Sequence, residues 1–173
     1  PVIPPMLVKE EAMQGTGFFP AENNQIYHVN PEEDNLYLIG TSEVPLAAMY
    51  KDQVIDVSKP QRYVWYSTCY RREAGTYGKD TKGILRWHQF HKIEMFSFTH
   101  PDDSEKEHQL IAQIEEEIYQ ELWIPYQKIN ICSWDIWFIA TKKYDLEAWM
   151  PWEKKYREIT SCSNCKTFQS RRL

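Results

Sequence analysis

No run of this 173-residue chain approaches the roughly 18 consecutive apolar residues that cross a bilayer as a helix. Its first residues, PVIPPMLVKEEAM, lack the charged start and small-residue cleavage site of a signal peptide. A soluble, cytoplasmic protein with no membrane partner is the expectation. A basic surplus is missing as well: 20 Lys and Arg against 25 Asp and Glu give a net charge of -5. That argues against a protein that binds nucleic acid unaided, because neutralising phosphates needs a basic surface; any nucleic-acid partner is expected to be held locally or by a further part of the molecule. Cysteine is sparse, with four residues and a single C-x-x-C pair, Cys162 and Cys165, far in sequence from any histidine. A structural zinc site wants four ligands and usually two such pairs, so reduced thiols and no zinc are expected. Repeats, low-complexity tracts and linkers are absent too.

What is present is enough for a folded domain. Aromatic residues make up 14% of the chain and apolar residues 42%, which supplies large buried surfaces and argues against disorder. VIPPMLV reads as a short buried strand entered through prolines, and residues 11–35 as a loop-rich excursion punctuated by Gly15, Gly17, Pro20 and Asn23-Asn24. LYLIG reads as a strand, and Glu43–Tyr50 as a helix with Pro45 in its first turn. From Asp102 to Leu122 the spacing predicts a helix, with Leu110, Ile114, Ile118 and Leu122 inward and Glu115, Glu116, Glu117 and Glu121 outward. QKINIC, YDLEAWMP and YREITSCSN follow as strands. Strands in hairpin order with one long helix packed across them predict an α+β domain, an antiparallel sheet flanked by helices.

The chemistry concentrates between Arg71 and Phe96, RREAGTYGKDTKGILRWHQFHKIEMF. With both flanks extended, the period of two puts Arg71 with Glu73 on one face, and Arg86, His88, Phe90, Lys92 and Glu94 on one face of the returning strand. A cation for phosphate, a ring for a base and a carboxylate for an ammonium group then share a small patch. AGTYGKDTKG between the flanks has the glycine and alternating charge of a long mobile loop. A solvated hairpin held by cross-strand ion pairs has the same pattern.

These segments resemble the catalytic domain of seryl-tRNA synthetases, class II aminoacyl-tRNA synthetases of the bacterial type. The resemblance runs from VIPPMLV through GTGFFP, LIGTSEVPLAAMY, the Arg71–Phe96 segment and KKYDLEAWMP to YREITSCSNCKTFQSRRL, essentially the whole chain. It implies a serine–tRNA ligase that joins serine to ATP as seryl-adenylate and passes the acyl group to tRNA(Ser). RREAG would open the second class-defining motif, with Arg71 on the ATP α-phosphate and Glu73 beside the adenine or acceptor end, the two being the catalytic pair. Arg86 would serve the phosphates and Phe90 would stack on adenine. Thr41, Glu43 and Glu94 would hold serine. Glu158 and Ser161 would hold the magnesium ion that bridges the ATP phosphates.

The same resemblance sets limits. The chain ends at RRL, before the family's third motif, begins after the long helix of the first, and lacks the N-terminal coiled coil that grips tRNA. Residues 1–173 are therefore expected to be a partial, incomplete class II catalytic domain with feeble ATP binding and little aminoacylation, the full-length enzyme being a homodimer. A non-catalytic synthetase-like binding subunit and an amino-acid:carrier-protein ligase remain as alternatives. Trp123, Trp134, Trp137 and Trp152 stand where the family typically has glycine. A gene that spells glycine UGA, translated with UGA as tryptophan, accounts for this selectivity, and UGG at those codons excludes it; drift in a paralogue that has lost activity, or deliberate redesign, is the competing account.

Overall fold

A computed structural model describes residues 3–20, 23–74 and 85–173. The chain divides into two units, one of Pro1–Asp56, Gln61–Ser97 and Gln169–Leu173, the other of Val57–Pro60 and Phe98–Phe168. The first contains β1 (Leu7–Lys9), α1 (Glu10–Thr16), β2 (His28–Val29), β3 (Leu36–Leu38), α2 (Glu43–Ala47), β4 (Gln61–Tyr70) and most of β5 (Gln89–Phe98). The second contains α3 (Ser104–Glu121), β6 (Tyr126–Asn130), β7 (Lys142–Met150) and β8 (Lys155–Asn164). The strands form three sheets, β1-β3-β2, β4-β5 and β6-β7-β8, where the sequence suggested one. Pairing is antiparallel in the first and third sheets, so the α+β class stands.

In the first unit Val8, Ala12, Met13, Ile26, Ile39 and Val44 form the core, with Phe18, Phe19 and Tyr37 packed on it. Two sequence expectations change here. VIPPMLV is not a buried strand: only Leu7–Lys9 pair, Val8 alone of them is buried, and Ile3 is exposed. The stretch 11–35 is not wholly loop, because α1 begins at Glu10 and buries Ala12, Met13, Gly15 and Thr16. Its polar composition hides the helix, yet Ala12 and Met13 with Thr16 supply the inward stripe. Gly17 ends it in the left-handed region at φ 89°, its amide donating to the Gln14 carbonyl at 3.1 Å, the conformation a glycine adopts without steric cost.

In the second unit α3 lies against β7 and β8, but not on the face the apolar spacing suggested. His108, Ala112 and Glu115 are buried, while Ile118 and Leu122 are exposed. Positions 108 and 110 lie about 200° apart around a helix, so seating one stripe lifts the other. The rotation is set by His108, whose ring stacks on Tyr144 at 5.0 Å and whose Nε2 meets the Cys162 carbonyl at 3.0 Å. Glu115 consequently belongs to the packed side, not the wet one.

The tryptophans assigned to glycine positions sit mostly in water: Trp134 is 95% and Trp123 91% exposed, with Trp152 also exposed. Trp123 follows α3 in the left-handed region at φ 57°, as a helix-ending glycine does. A Cβ there crowds the following carbonyl oxygen, and the exposed indole gains no burial in return. We expect Trp123→Gly to stabilise the protein by about 1 kcal/mol. Urea unfolding measures it, and an unchanged or lowered midpoint contradicts the assignment.

Candidate functional site

β5 alternates as the period of two requires. Phe90, Lys92 and Glu94 are half-buried on one face, while Gln89, His91 and Ile93 are exposed on the other. Arg86 and His88 precede the strand instead of belonging to it. Arg71 leaves β4 directly opposite, its amide donating to the His88 carbonyl at 2.9 Å. Its guanidinium carbon lies 5.1 Å from the centre of the Phe90 ring, and its Nε donates to the Gly40 carbonyl at 3.3 Å. Cation–ring attraction contributes about 0.5–1 kcal/mol at a partly exposed site. The cation is thereby held over the ring by two contacts. Arg86 donates from Nε to the Glu73 carboxylate. Glu73 has a positive φ of 53°, a strained backbone for a side chain that large. Of the expected mobile loop, AGTYGKDTKG at 74–83, all but Ala74 lies outside the described residues.

Thr41, Glu43 and Glu94 also come together. β3 delivers the chain through Gly40 to Thr41, which is 2% exposed. Its Oγ1 donates to Glu94 Oε2 at 2.8 Å and accepts the Glu43 amide at 3.2 Å, tying the start of α2 to β5. Ser42, at the N-cap of α2, makes no side-chain capping bond; Thr41 Oγ1 takes the Glu43 amide in its place. Two further residues join, neither assigned from sequence. Lys92 Nζ lies 2.7 Å from Glu94 Oε2 and 2.5 Å from Thr41 Oγ1. Gln169 Nε2 donates to Glu43 Oε1 at 2.6 Å. The strand period places Lys92 on this face; nothing local marks Gln169.

Electrostatically the cluster is tense. The Glu43 residue keeps some surface, but its carboxyl group is enclosed. Burial, and secondarily the neighbouring Glu94, push its pKa up to about 7 against the pull of Lys92 and the Gln169 bond. Two acids beside one lysine make a pocket that wants a second cation with hydroxyl partners.

Glu158 and Ser161 belong to the second unit, on β8. Three apart, they would face opposite ways in a regular strand. A bulge corrects this: Leu146 pairs with Thr160 and Glu147 with Glu158, leaving Ile159 unpaired in the register. The extra residue returns Glu158 to the side of Ser161, the re-aiming that bulges near functional sites perform. Asp145 stands opposite Ser161 and Glu147 opposite Glu158. Asp145 is paired with Lys143 at 3.1 Å and Glu147 accepts from Gln127 at 2.6 Å. Among the described residues no three His, Cys, Asp or Glu side chains converge as a complete metal site. Glu158 and Ser161 thus fit magnesium only in its usual manner, with one or two protein oxygens and the rest from water and substrate phosphates. The cysteines are free thiols, Cys162 buried and Cys165 half-buried.

A cavity of about 490 Å³ in the first unit, lined by Glu10, Phe19, His28, Tyr37 and Arg72 among others, includes none of the expected site residues. Arg72 faces it while its neighbour Arg71 faces Phe90. Among the described residues no helix is long and apolar enough to cross a membrane.

Residues 27–173 match the model of the tRNA synthetase class II core domain (G, H, P, S and T). Over 174 residues the chain is 51% identical to serine–tRNA ligase 1 of Streptomyces avermitilis, covering 100% of this chain and 40% of that protein. It is 52% identical to the serine–tRNA ligase of Leifsonia xyli over 100% of this chain and 41% of that protein. Seryl-tRNA synthetase from Pyrococcus horikoshii, solved with ATP, superposes with a TM-score of 0.94 at 48% identity, covering 99% of this chain and 38% of that one. The cytoplasmic serine–tRNA ligase of Naegleria fowleri, solved with AMP, does so with a TM-score of 0.93 at 41% identity, over 100% of this chain and 42% of that one. The chain thus spans about two fifths of its relatives' length.

Proposed function

The chain belongs to the class II tRNA synthetase core family, and from that membership we propose that it carries serine activation in a serine–tRNA ligase. The observation that carries the reading is the shared face in the first unit, where the Arg71 cation stacked on Phe90 lies on the same strand face as the Thr41–Glu94 pair. A nucleotide needs the first pair: adenine a ring, the α-phosphate a fixed cation. A small hydroxylated amino acid needs the second, since an ammonium and a hydroxyl bind well to carboxylates and hydroxyls. The solved relatives, one complexed with ATP and one with AMP, support the nucleotide half.

In this reading Glu94, Thr41 and Glu43 orient serine so that its carboxylate meets the α-phosphorus in line with the pyrophosphate leaving group. Arg71 donates to the oxygens on which charge grows, Arg86 serves the phosphate side, and Glu73, its ion-pair partner, lies toward the adenine or acceptor end. The protein supplies no nucleophile, so the rate comes from positioning and charge stabilisation. Glu158 and Ser161 would hold magnesium, which neutralises phosphate charge when bound. The acyl group then passes to the terminal ribose of tRNA(Ser). The partners in this reading are serine, ATP, tRNA(Ser) and a second copy of the protein, in the cytoplasm.

Serine-dependent exchange of pyrophosphate into ATP tests it, measured with the chain joined to the remaining length of the Leifsonia xyli relative. Exchange is expected with serine and weaker with alanine by about 10⁴-fold, because the missing hydroxyl leaves buried polar groups unpaired. No exchange, or equal exchange with alanine, contradicts the proposal. A carrier-protein ligase would pass this test and then fail to charge tRNA.

A further inference from the structure

The face that serine would enter is already satisfied. Thr41 Oγ1 donates to Glu94 Oε2 at 2.8 Å, accepts the Glu43 amide at 3.2 Å and accepts Lys92 Nζ at 2.5 Å. A hydroxyl offers one proton and two lone pairs, so its capacity is used. Lys92 Nζ also lies 2.7 Å from Glu94 Oε2, which closes a three-membered ring of polar groups. An incoming ammonium can bond to Thr41 only by displacing one of the two present donors. The Glu43 amide belongs to the first turn of α2 and cannot leave without unwinding it. Lys92 can leave, having a four-carbon stem and a side chain that is 34% exposed.

We propose that Lys92 is an internal stand-in for the substrate ammonium, seated on Thr41 and Glu94 in the empty site and exchanged for the ammonium of serine on binding. The inference rests on the serine-activation reading above. It makes Lys92 a positioning residue, not a catalytic one. While the site is empty, its ammonium offsets the charge of Glu94 and holds the Thr41 hydroxyl in its acceptor orientation, so that substrate meets a formed site. The exchange also selects ligands. A hydroxy acid without an ammonium has nothing to put in place of Lys92 and leaves it where it sits. A small hydroxylated amine, with or without a carboxylate, can replace it.

Calorimetric titration of the protein and of Lys92→Met with serine and with ethanolamine tests the exchange. Ethanolamine keeps the ammonium and hydroxyl of serine and drops the carboxylate, so it reads the exchange alone. Removing the competing cation is expected to tighten ethanolamine binding about tenfold, the effect of losing one charge-assisted bond. Equal or weaker ethanolamine binding by Lys92→Met, with serine still binding the unaltered protein, overturns the inference and leaves the serine reading standing. Absence of serine binding to the unaltered protein, completed as in the exchange test with the remaining length of the Leifsonia xyli relative, overturns both. Should Lys92→Met not fold, side-chain ¹⁵N spectra of the unaltered protein decide: serine moves the Lys92 ammonium signal to that of a freely hydrated lysine, whereas an unmoved signal in the serine-bound state contradicts the exchange.

Discussion

Arg71→Ala is expected to lower serine-dependent pyrophosphate exchange by about 10²–10³-fold, the effect of removing one donor aimed at developing charge. The chain has arranged for this side chain to be hard to replace. Its backbone is fixed by the bond to His88, its Nε by the Gly40 carbonyl, and its guanidinium carbon lies over the Phe90 ring. A lysine there could supply charge but neither the planar stacking nor the simultaneous bond to Gly40, so Arg71→Lys should recover little. Phe90→Leu should act mainly on the affinity for ATP, because a ring that stacks on adenine acts in ground and transition states alike. Near-normal exchange by Arg71→Ala would remove the phosphate role from this residue.

The second large effect is on stability. Glu43 ionises at about 7 in the folded protein against 4.5 for an ordinary glutamate, chiefly through burial. Between those values the folded state holds more protons than the unfolded one, so stability falls as pH rises through the window. The loss amounts to about 3 kcal/mol, taking about 1.4 kcal/mol for each pKa unit. Glu43→Gln, which needs no proton to stay neutral, should flatten the dependence between pH 4.5 and 7 and be the more stable protein at pH 7. Urea midpoints across that range read it. A midpoint that rises with pH in the unaltered protein, or an unchanged slope in Glu43→Gln, contradicts the enclosure of this carboxyl group. The tension fits a site that awaits a cation, since an acid that is costly to ionise in the empty protein becomes favourable to ionise beside an ammonium.

How far these features could be read from sequence follows from the range of the interactions. The β4–β5 face was legible because a strand repeats every two residues, which put Phe90, Lys92 and Glu94 together before any coordinates. The α3 element was legible but its rotation was not, since the stack of His108 on Tyr144 joins residues far apart in the chain. Short α1 escaped because polar residues fill most of its seven positions. Gln169 could not have been found, because its contact with Glu43 spans 126 residues. Glu158 and Ser161 share a face only because of the bulge at Ile159, which strand period alone does not foresee. Resemblance to a family supplied those two residues; register supplied the reason they can act together.

The central claim is that one face of the first unit accepts a nucleotide phosphate and a serine side by side. A non-hydrolysable conjugate of serine and adenosine, bridged by a sulfamate in place of the phosphate, spans both halves at once. Titrated into the isotopically labelled protein, it is predicted to shift the resonances of Thr41, Arg71, Phe90, Lys92 and Glu94 together along one binding curve. Shifts confined to the cavity around Arg72 and Tyr37, or no binding at all, would contradict the account.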